Sequence, residues 1–368
     1  MKFGIVNRSE SALFPYQAWP TVCRDENGTL YATCSGHRLG HLCPFGKNLM
    51  FISRDEGETW SSPIIINDTE LDDRDSGILP LGGGKLLMTY FNHYKEFYFG
   101  ERNYVERNTD AVTHDMSLGL LEGWKNLTDE QNHAGSFIRI SHDGGFTWDK
   151  AIKCPVSAPH GPIKLRNGKL LYLGKEFYTE GEYEKGAIYA FESEDDGLTW
   201  KCLSKVPDPR GFAKNLLHEP YALELPDGRL VGMIRAHGDA IKEFHRGTLR
   251  CFSDDGGRTW TVPEEFGVCG FPPHLLLHSS GAVILTYGRR TVPFGQRARI
   301  SYDGCLTFSD EIVISEESAD DDLGYPSTVE LSDGSLLTVY YQKYKNDPYC
   351  SILSTRWSIP ECSRKDQD

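Results

Sequence analysis

The chain lacks the marks of membrane, exported and nucleic-acid-binding proteins. No stretch of its 368 residues approaches 18 consecutive apolar positions, which excludes a membrane-spanning helix. The opening MKFGIVNRSE has no basic segment followed by an apolar one, so no signal peptide is read and a cytoplasmic protein is expected. None of the ten cysteines forms a Cys-x-x-Cys pair; a zinc ribbon or redox dithiol is not expected, and the thiols are read as reduced. The histidine spacings match no metal motif, so neither metal nor cofactor is expected. Positive charge is scarce: 39 Lys and Arg face 53 Asp and Glu, a net charge of −14. A phosphate-tracking surface needs the opposite balance, which argues against a nucleic-acid partner. An anionic ligand would need a local arginine cluster set against that field.

What is present is an ordinary globular complement, with 39% hydrophobic residues, 12% aromatics and 37 glycines, enough to bury a sizeable core. One octapeptide, S-x-D-x-G-x-T-W, organises it: SRDEGETW from Ser53, SHDGGFTW from Ser141, SEDDGLTW from Ser193, SDDGGRTW from Ser253 and the weaker SYDGCLTF from Ser301. Each copy follows a short apolar run and precedes another strand-like segment, which reads as strand–turn–strand. The Asp side chain can accept backbone N–H bonds, the Gly takes a positive φ, and the Trp packs beneath. Asp55, Asp143, Asp195, Asp255 and Asp303 are therefore read as structural.

Between these copies lie hairpin signals, two apolar runs flanking a turn glycine at Gly28, Gly84, Gly168, Gly228, Gly281 and Gly334. Six such hairpins, five followed by an octapeptide, give six four-stranded units. Closing them into a ring leaves only short, protected edges, so an all-β, six-bladed β-propeller spanning 1–368 as a single domain is expected. The last unit has a third strand over Tyr349–Ser358 and no octapeptide; the N-terminal Lys2–Val6 is expected to supply its fourth strand. Turn glycine to box serine is 25 residues in three units, 20 in the fifth and 57 in the second. The second blade thus carries an insertion within about 91–135, too long for an idle loop, read as a lid or as a contact for a homo-oligomer.

In a propeller, residues just before the first strand of each blade and just after the second converge on one pore mouth. Nine positions before each turn glycine stand Trp19, Asp75, Pro159, Glu219, Pro272 and Tyr325; eight before stand Pro20, Ser76, His160, Pro220, Pro273 and Pro326. Seven to nine positions after it come Gly36-His37, Asn92-His93, Lys175-Glu176, Arg235 to His237, Arg289-Arg290 and Gln342-Lys343. Arginines facing one pocket offer forked donors for a planar carboxylate. A Glu near a Tyr suggests a phenol activated by a carboxylate base. A neutral phenol can approach an anionic centre that a carboxylate nucleophile would repel.

These motifs resemble the sialidase (neuraminidase) superfamily of six-bladed, Asp-box propellers along essentially the whole chain. His218-Glu219-Pro220 with Met233-Ile234-Arg235 is similar to the sialidase segment carrying the base and a clamp arginine. Gly324-Tyr325-Pro326-Ser327 is similar to the nucleophile segment, and Tyr287-Gly288-Arg289-Arg290 stands where another clamp arginine belongs. The chain departs from the pattern elsewhere. The usual Phe-Arg-Ile-Pro is Gln17-Ala18-Trp19-Pro20, and the glutamate that steadies its arginine is Gln342. The usual acid aspartate is replaced by the stretch Ser35 to His41.

The resemblance implies an exo-glycosidase acting on a terminal acidic sugar of an oligosaccharide or glycoside. Tyr325 is expected as nucleophile and Glu219 as base, with Asp75 as acid and His160, His37 or His41 as alternatives for that role. Arg235 and Arg290 are expected to hold the carboxylate, with Arg289 and Arg297 as competitors for the second position. His37, Arg38, Arg74, His218, Trp19 and Gln342 complete the expected substrate-binding set. Hydrolysis or β-elimination of another sugar, such as a uronic acid, and carbohydrate binding without catalysis are the two rival readings.

Overall fold

The computed structural model describes residues 1–8, 13–100, 111–179, 181–210, 216–237, 246–316 and 318–360. Six antiparallel sheets follow one another along the chain, five of them built from successive strands. The first blade comprises Tyr16–Arg24, Leu30–Arg38, Lys47–Ser53 and Ile64–Asn67, and the second Arg74–Gly82, Lys85–Asn92, Gly135–Ser141 and Ile152–Cys154. The sixth, Gly324–Glu330, Leu336–Lys343 and Cys350–Trp357, is completed by Lys2–Asn7 from the other end of the chain. The expected ring closure is thus present. The third blade departs from the expected simple pattern. Its inner strand splits into Val156–Ser157 and Ile163–Lys164. Between them lies Pro159-His160-Gly161-Pro162, whose two prolines have no N–H for a ladder.

Apolar alternation along the strands fills the space between neighbouring blades. Val22, Leu30 and Ala32 of the first blade pack with Val329, Leu337 and Val339 of the sixth; Leu87 and Ile138 of the second pack with Leu170, Tyr172 and Phe191 of the third. Each large aliphatic side chain so buried contributes roughly 1.5–3 kcal/mol. The octapeptide turns are pinned by one repeated set of bonds. The serine Oγ and the threonine Oγ1 both donate to the aspartate, which also accepts the threonine N–H, at Asp55, Asp143, Asp195, Asp255 and Asp303. The fifth box position donates its N–H to the serine Oγ from a positive φ, which suits the glycine at 57, 145, 197 and 257. In the weaker copy Cys305 holds the same conformation at φ 68°.

The segment between Asn92 and Gly135 contains the helices Lys95–Gly100 and Ala111–Trp124; residues 101–110 lie outside the described set. Tyr98, Leu121 and Trp124 pack on Leu71 beside the first and second blades. No helix among the described residues is long and apolar enough to cross a membrane.

Candidate active site

The register of the inner strands creates the site. Trp19, Asp75, Glu219 and Tyr325, which share one position in four different blades, all have positive φ, at 57°, 32°, 46° and 51°. A break in ladder register falls at each: Ala18 to Thr21, Arg74 to Gly77, His218 to Tyr221 and Gly324 to Ser327. The equivalent residues of the third and fifth blades, Pro159 and Pro272, are prolines, whose ring holds φ negative. Left-handed backbone at a non-glycine residue costs about 1–2 kcal/mol. Strain repeated at four equivalent bulges, each turning one side chain toward the axis, is the mark of a built site.

These side chains line one cavity of about 710 Å³ together with His41, Arg74, His218, Arg235, Arg290, Lys175 and an aromatic wall. On its floor Glu219 joins the blades. Its carboxylate accepts two bonds from Arg235 Nη1, at 2.6 and 2.5 Å, and another from the Tyr325 hydroxyl. Burial alone would raise the Glu219 carboxyl, but Arg235 and the Tyr325 hydrogen bond outweigh it and bring it down to about 2. Burial pushes Asp75 the other way, up to about 7. Arg74 opposes that rise, and the charge of Glu219 adds to it. The Tyr325 phenol is raised well above its usual value by burial and by Glu219. At neutral pH the floor thus holds an ionised carboxylate, a protonated phenol and a carboxyl able to carry a proton.

Three guanidiniums bound this floor. Arg235 and Arg290 both lie over the Phe271 ring, 4.1 and 5.2 Å from its centre. Arg290 donates through Nε to the Leu323 carbonyl at 2.9 Å and through Nη2 to the Tyr341 hydroxyl at 3.1 Å. Burial works against its charge, yet Tyr341, Tyr325 and Glu219 favour it and the net shift is upward. Arg74 lies 4.2 Å over the Trp19 ring and donates to Asp72 at 3.2 Å. Such stacking fixes a guanidinium while leaving donors for a ligand. Lys175 donates to the Leu217 carbonyl at 2.6 Å, and burial lowers its ammonium to about 8.

Several expected residues stand elsewhere. Arg38 is fully buried behind Trp19 and forms a bidentate pair with Asp72 at 2.5 and 3.0 Å, so it shapes the wall and does not line the cavity. His37 stacks on Phe14 with centroids 3.8 Å apart, outside the cavity lining. Gln342 bonds Ser315 and Gln296 and is likewise outside. His160 lies deeper along the axis, bonded to Thr21 at 3.0 Å, and lines a separate cavity of about 500 Å³ with Tyr221 and His274. Of the competing arginines, Arg289 pairs with Glu311 at 2.8 Å and Arg297 is buried near the same carboxylate; neither lines the cavity. Among the described residues no group of three or more His, Cys, Asp or Glu is placed to hold a metal ion.

Sequence reasoning missed Asp322. One of its oxygens is shared by the hydroxyls of Tyr16 (3.0 Å) and Tyr341 (3.2 Å) and by His41 Nδ1 (3.0 Å). Through Tyr341 it steadies Arg290, and it orients His41 at the rim. It also missed Phe271 and, in the wall, Phe91, Phe177 and Tyr178, although the register had brought His93 to this mouth. Asp322 stands two residues before Gly324, just outside the register window, and aromatic residues in a strand give no signal of the face they serve.

A six-bladed propeller with acid, phenol and guanidinium groups gathered at one mouth defines the class. The profile of the BNR repeat-like domain family matches residues 121–339, and the chain belongs to that family. Its six-bladed propeller fold is shared with sialidases of known structure. A Dyadobacter fermentans protein of unknown function is similar over 98% of both chains, with a TM-score of 0.77 and 23% identity. The NanB sialidase of Streptococcus pneumoniae is similar over 97% of this chain and 70% of its own, with a TM-score of 0.66 and 15% identity. An α-L-arabinanase of Penicillium chrysogenum is similar over 97% of each, at 0.59 and 14%. A search of curated proteins finds no match.

Proposed function

We propose that this protein is a retaining exo-glycosidase of sialidase type that removes a terminal acidic sugar. The observation that carries the reading is the Glu219 carboxylate bonded at once to the Tyr325 hydroxyl and to Arg235 in the same cavity as Asp75 and Arg290. The Tyr325 oxygen attacks the anomeric carbon while its proton passes to Glu219. Asp75 delivers a proton to the leaving oxygen, then as a carboxylate takes one from the water that releases the glycosyl-tyrosine, while Glu219 returns its proton to the departing Tyr325 oxygen. Arg235 and Arg290 hold the sugar carboxylate. Likeness to both a sialidase and an arabinanase supports glycoside hydrolysis and leaves the choice of sugar to the pocket chemistry. Proton NMR of the first-formed product tests the reading: retention at the anomeric carbon is expected, and Tyr325→Phe abolishes turnover. Inversion, or an undiminished rate in Tyr325→Phe, overturns it.

A second reading is favoured by one departure. Ala18 stands where the resemblance expects a clamp arginine, and Gln342 where it expects that arginine's partner. A clamp altered in this way suits another sugar acid, such as a uronic acid, cleaved by hydrolysis or β-elimination. Appearance of an ultraviolet-absorbing unsaturated uronate would mark the elimination.

A further inference from the structure

The cavity does not end at its charged floor. Toward the second and third blades it is walled by Phe91, His93, Phe177 and Tyr178. Phe91 stacks on Phe177 with centroids 5.2 Å apart and planes 28° from parallel. His93 meets Tyr178 edge to face, its Nδ1 2.6 Å from the phenol oxygen. Tyr178 sits at φ 55°, a conformation that costs a bulky side chain about 1–2 kcal/mol and that persists only where surroundings impose it. Phe91 is buried, whereas Phe177 and Tyr178 keep part of their surface open. The cavity's volume of about 710 Å³ falls in the upper part of the range of roughly 300–1,000 Å³ typical of ligand pockets, and exceeds what one pyranose ring needs.

The position of this wall relative to the proton donor gives it a role. Phe91 is the register partner of Arg74, the residue next to Asp75. A leaving oxygen has to lie within hydrogen-bond reach of the acid that protonates it, so the group attached to that oxygen emerges beside Phe91 and Phe177. We propose that the aromatic wall is the subsite for the leaving group and takes a second pyranose ring or an aromatic aglycone against Phe177 and Tyr178. The apolar C–H face of a pyranose, or an aryl ring, suits these side chains, whereas the guanidinium end suits the sugar acid. The assignment rests on the glycosidase reading and deepens it by fixing the side from which the bond is broken.

The test measures binding apart from turnover. Calorimetric titration in a Tyr325→Phe background uses methyl glycosides and disaccharides of sialic acid and of glucuronic acid. For the acid that binds, the disaccharide is expected to bind more tightly than the methyl glycoside. Phe177→Ala should shrink that affinity ratio about tenfold, and Phe177→Trp should retain it, which also shows that the position tolerates substitution. Equal weakening of both ligands by Phe177→Ala overturns the proposal, because the wall would then hold the acidic sugar itself. An unchanged ratio overturns it as well. No binding by any of these glycosides overturns it together with the glycosidase reading. The expected ratio in a protein whose wild type leaves the disaccharides uncleaved supports the subsite and overturns only the catalytic reading.

Discussion

Glu219 and Asp75 occupy one ring position in two blades and hold opposite proton states, for reasons their neighbours supply. Arg235 holds Glu219 ionised, and burial keeps Asp75 protonated up to about pH 7. In the proposed reaction Glu219 acts ionised and Asp75 protonated, so kcat on a glycoside with a poor leaving group should hold between about pH 2 and 7 and fall as pH rises through 7. Asp75→Asn should remove that alkaline limb and lower kcat about 100-fold for an alkyl glycoside, yet far less for a fluorogenic phenol. A pH–rate profile on both substrates checks this. The same shift bears on stability. The folded value of Asp75 lies above its ordinary 3.8, so its contribution is complete below that pH and is lost as pH rises through about 7. Asp75→Asn should flatten the fall in Tm across that window. Glu219→Gln removes the proposed base and leaves Arg235 without its carboxylate; a loss of about 10²–10⁴ in kcat is expected from steady-state kinetics.

At the scale of elements, the octapeptide turn is a self-contained device. Ser193 Oγ donates to Asp195 at 2.8 Å and accepts the Gly197 N–H at 2.9 Å, all within five residues. Ser193→Ala strands a buried N–H and should cost about 1–2 kcal/mol in urea denaturation, with kcat/KM unchanged because the turn takes no part in the pocket. Local bonding of this kind is why the motif could be read directly from five spans of sequence. The inner-strand bulges were legible only as a register. Counting from turn glycines brought Trp19, Asp75, Glu219 and Tyr325 to one level, but the positive φ that turns them toward the axis depends on the ladder beside each. Proline breaks in the third blade moved His160 out of the same level and into the deeper cavity.

For the whole molecule the decisive contact is between its ends. Lys2–Asn7 pairs with Cys350–Trp357, so the ring is closed by residues separated by almost the full chain. Deleting residues 2–7 uncovers Cys350–Trp357 at the edge of the sixth blade, which pairs with Leu336–Lys343 and only through that strand supports Gly324–Glu330 and Tyr325. We expect the deletion to lower Tm and promote association through the open edge, seen by scattering during thermal melting. A far-UV spectrum that keeps its strand signal would show the five unbroken blades surviving.

The sequence by itself determined the blade count, the turn chemistry and the ring positions of the acid, the phenol and two arginines, because hairpin glycines and octapeptides are local signals repeated at near-constant spacing. Tertiary structure alone decided which polar residues face one another. Arg38 and Arg74 are both expected at the substrate, yet Asp72 pairs with both and holds Arg38 fully buried beside Trp19 while Arg74 lines the cavity. Asp322, Phe271 and the aromatic wall gained their places from strands far away in the chain. Charge pairing and burial act across space, and no spacing rule along one strand records which distant partner will arrive.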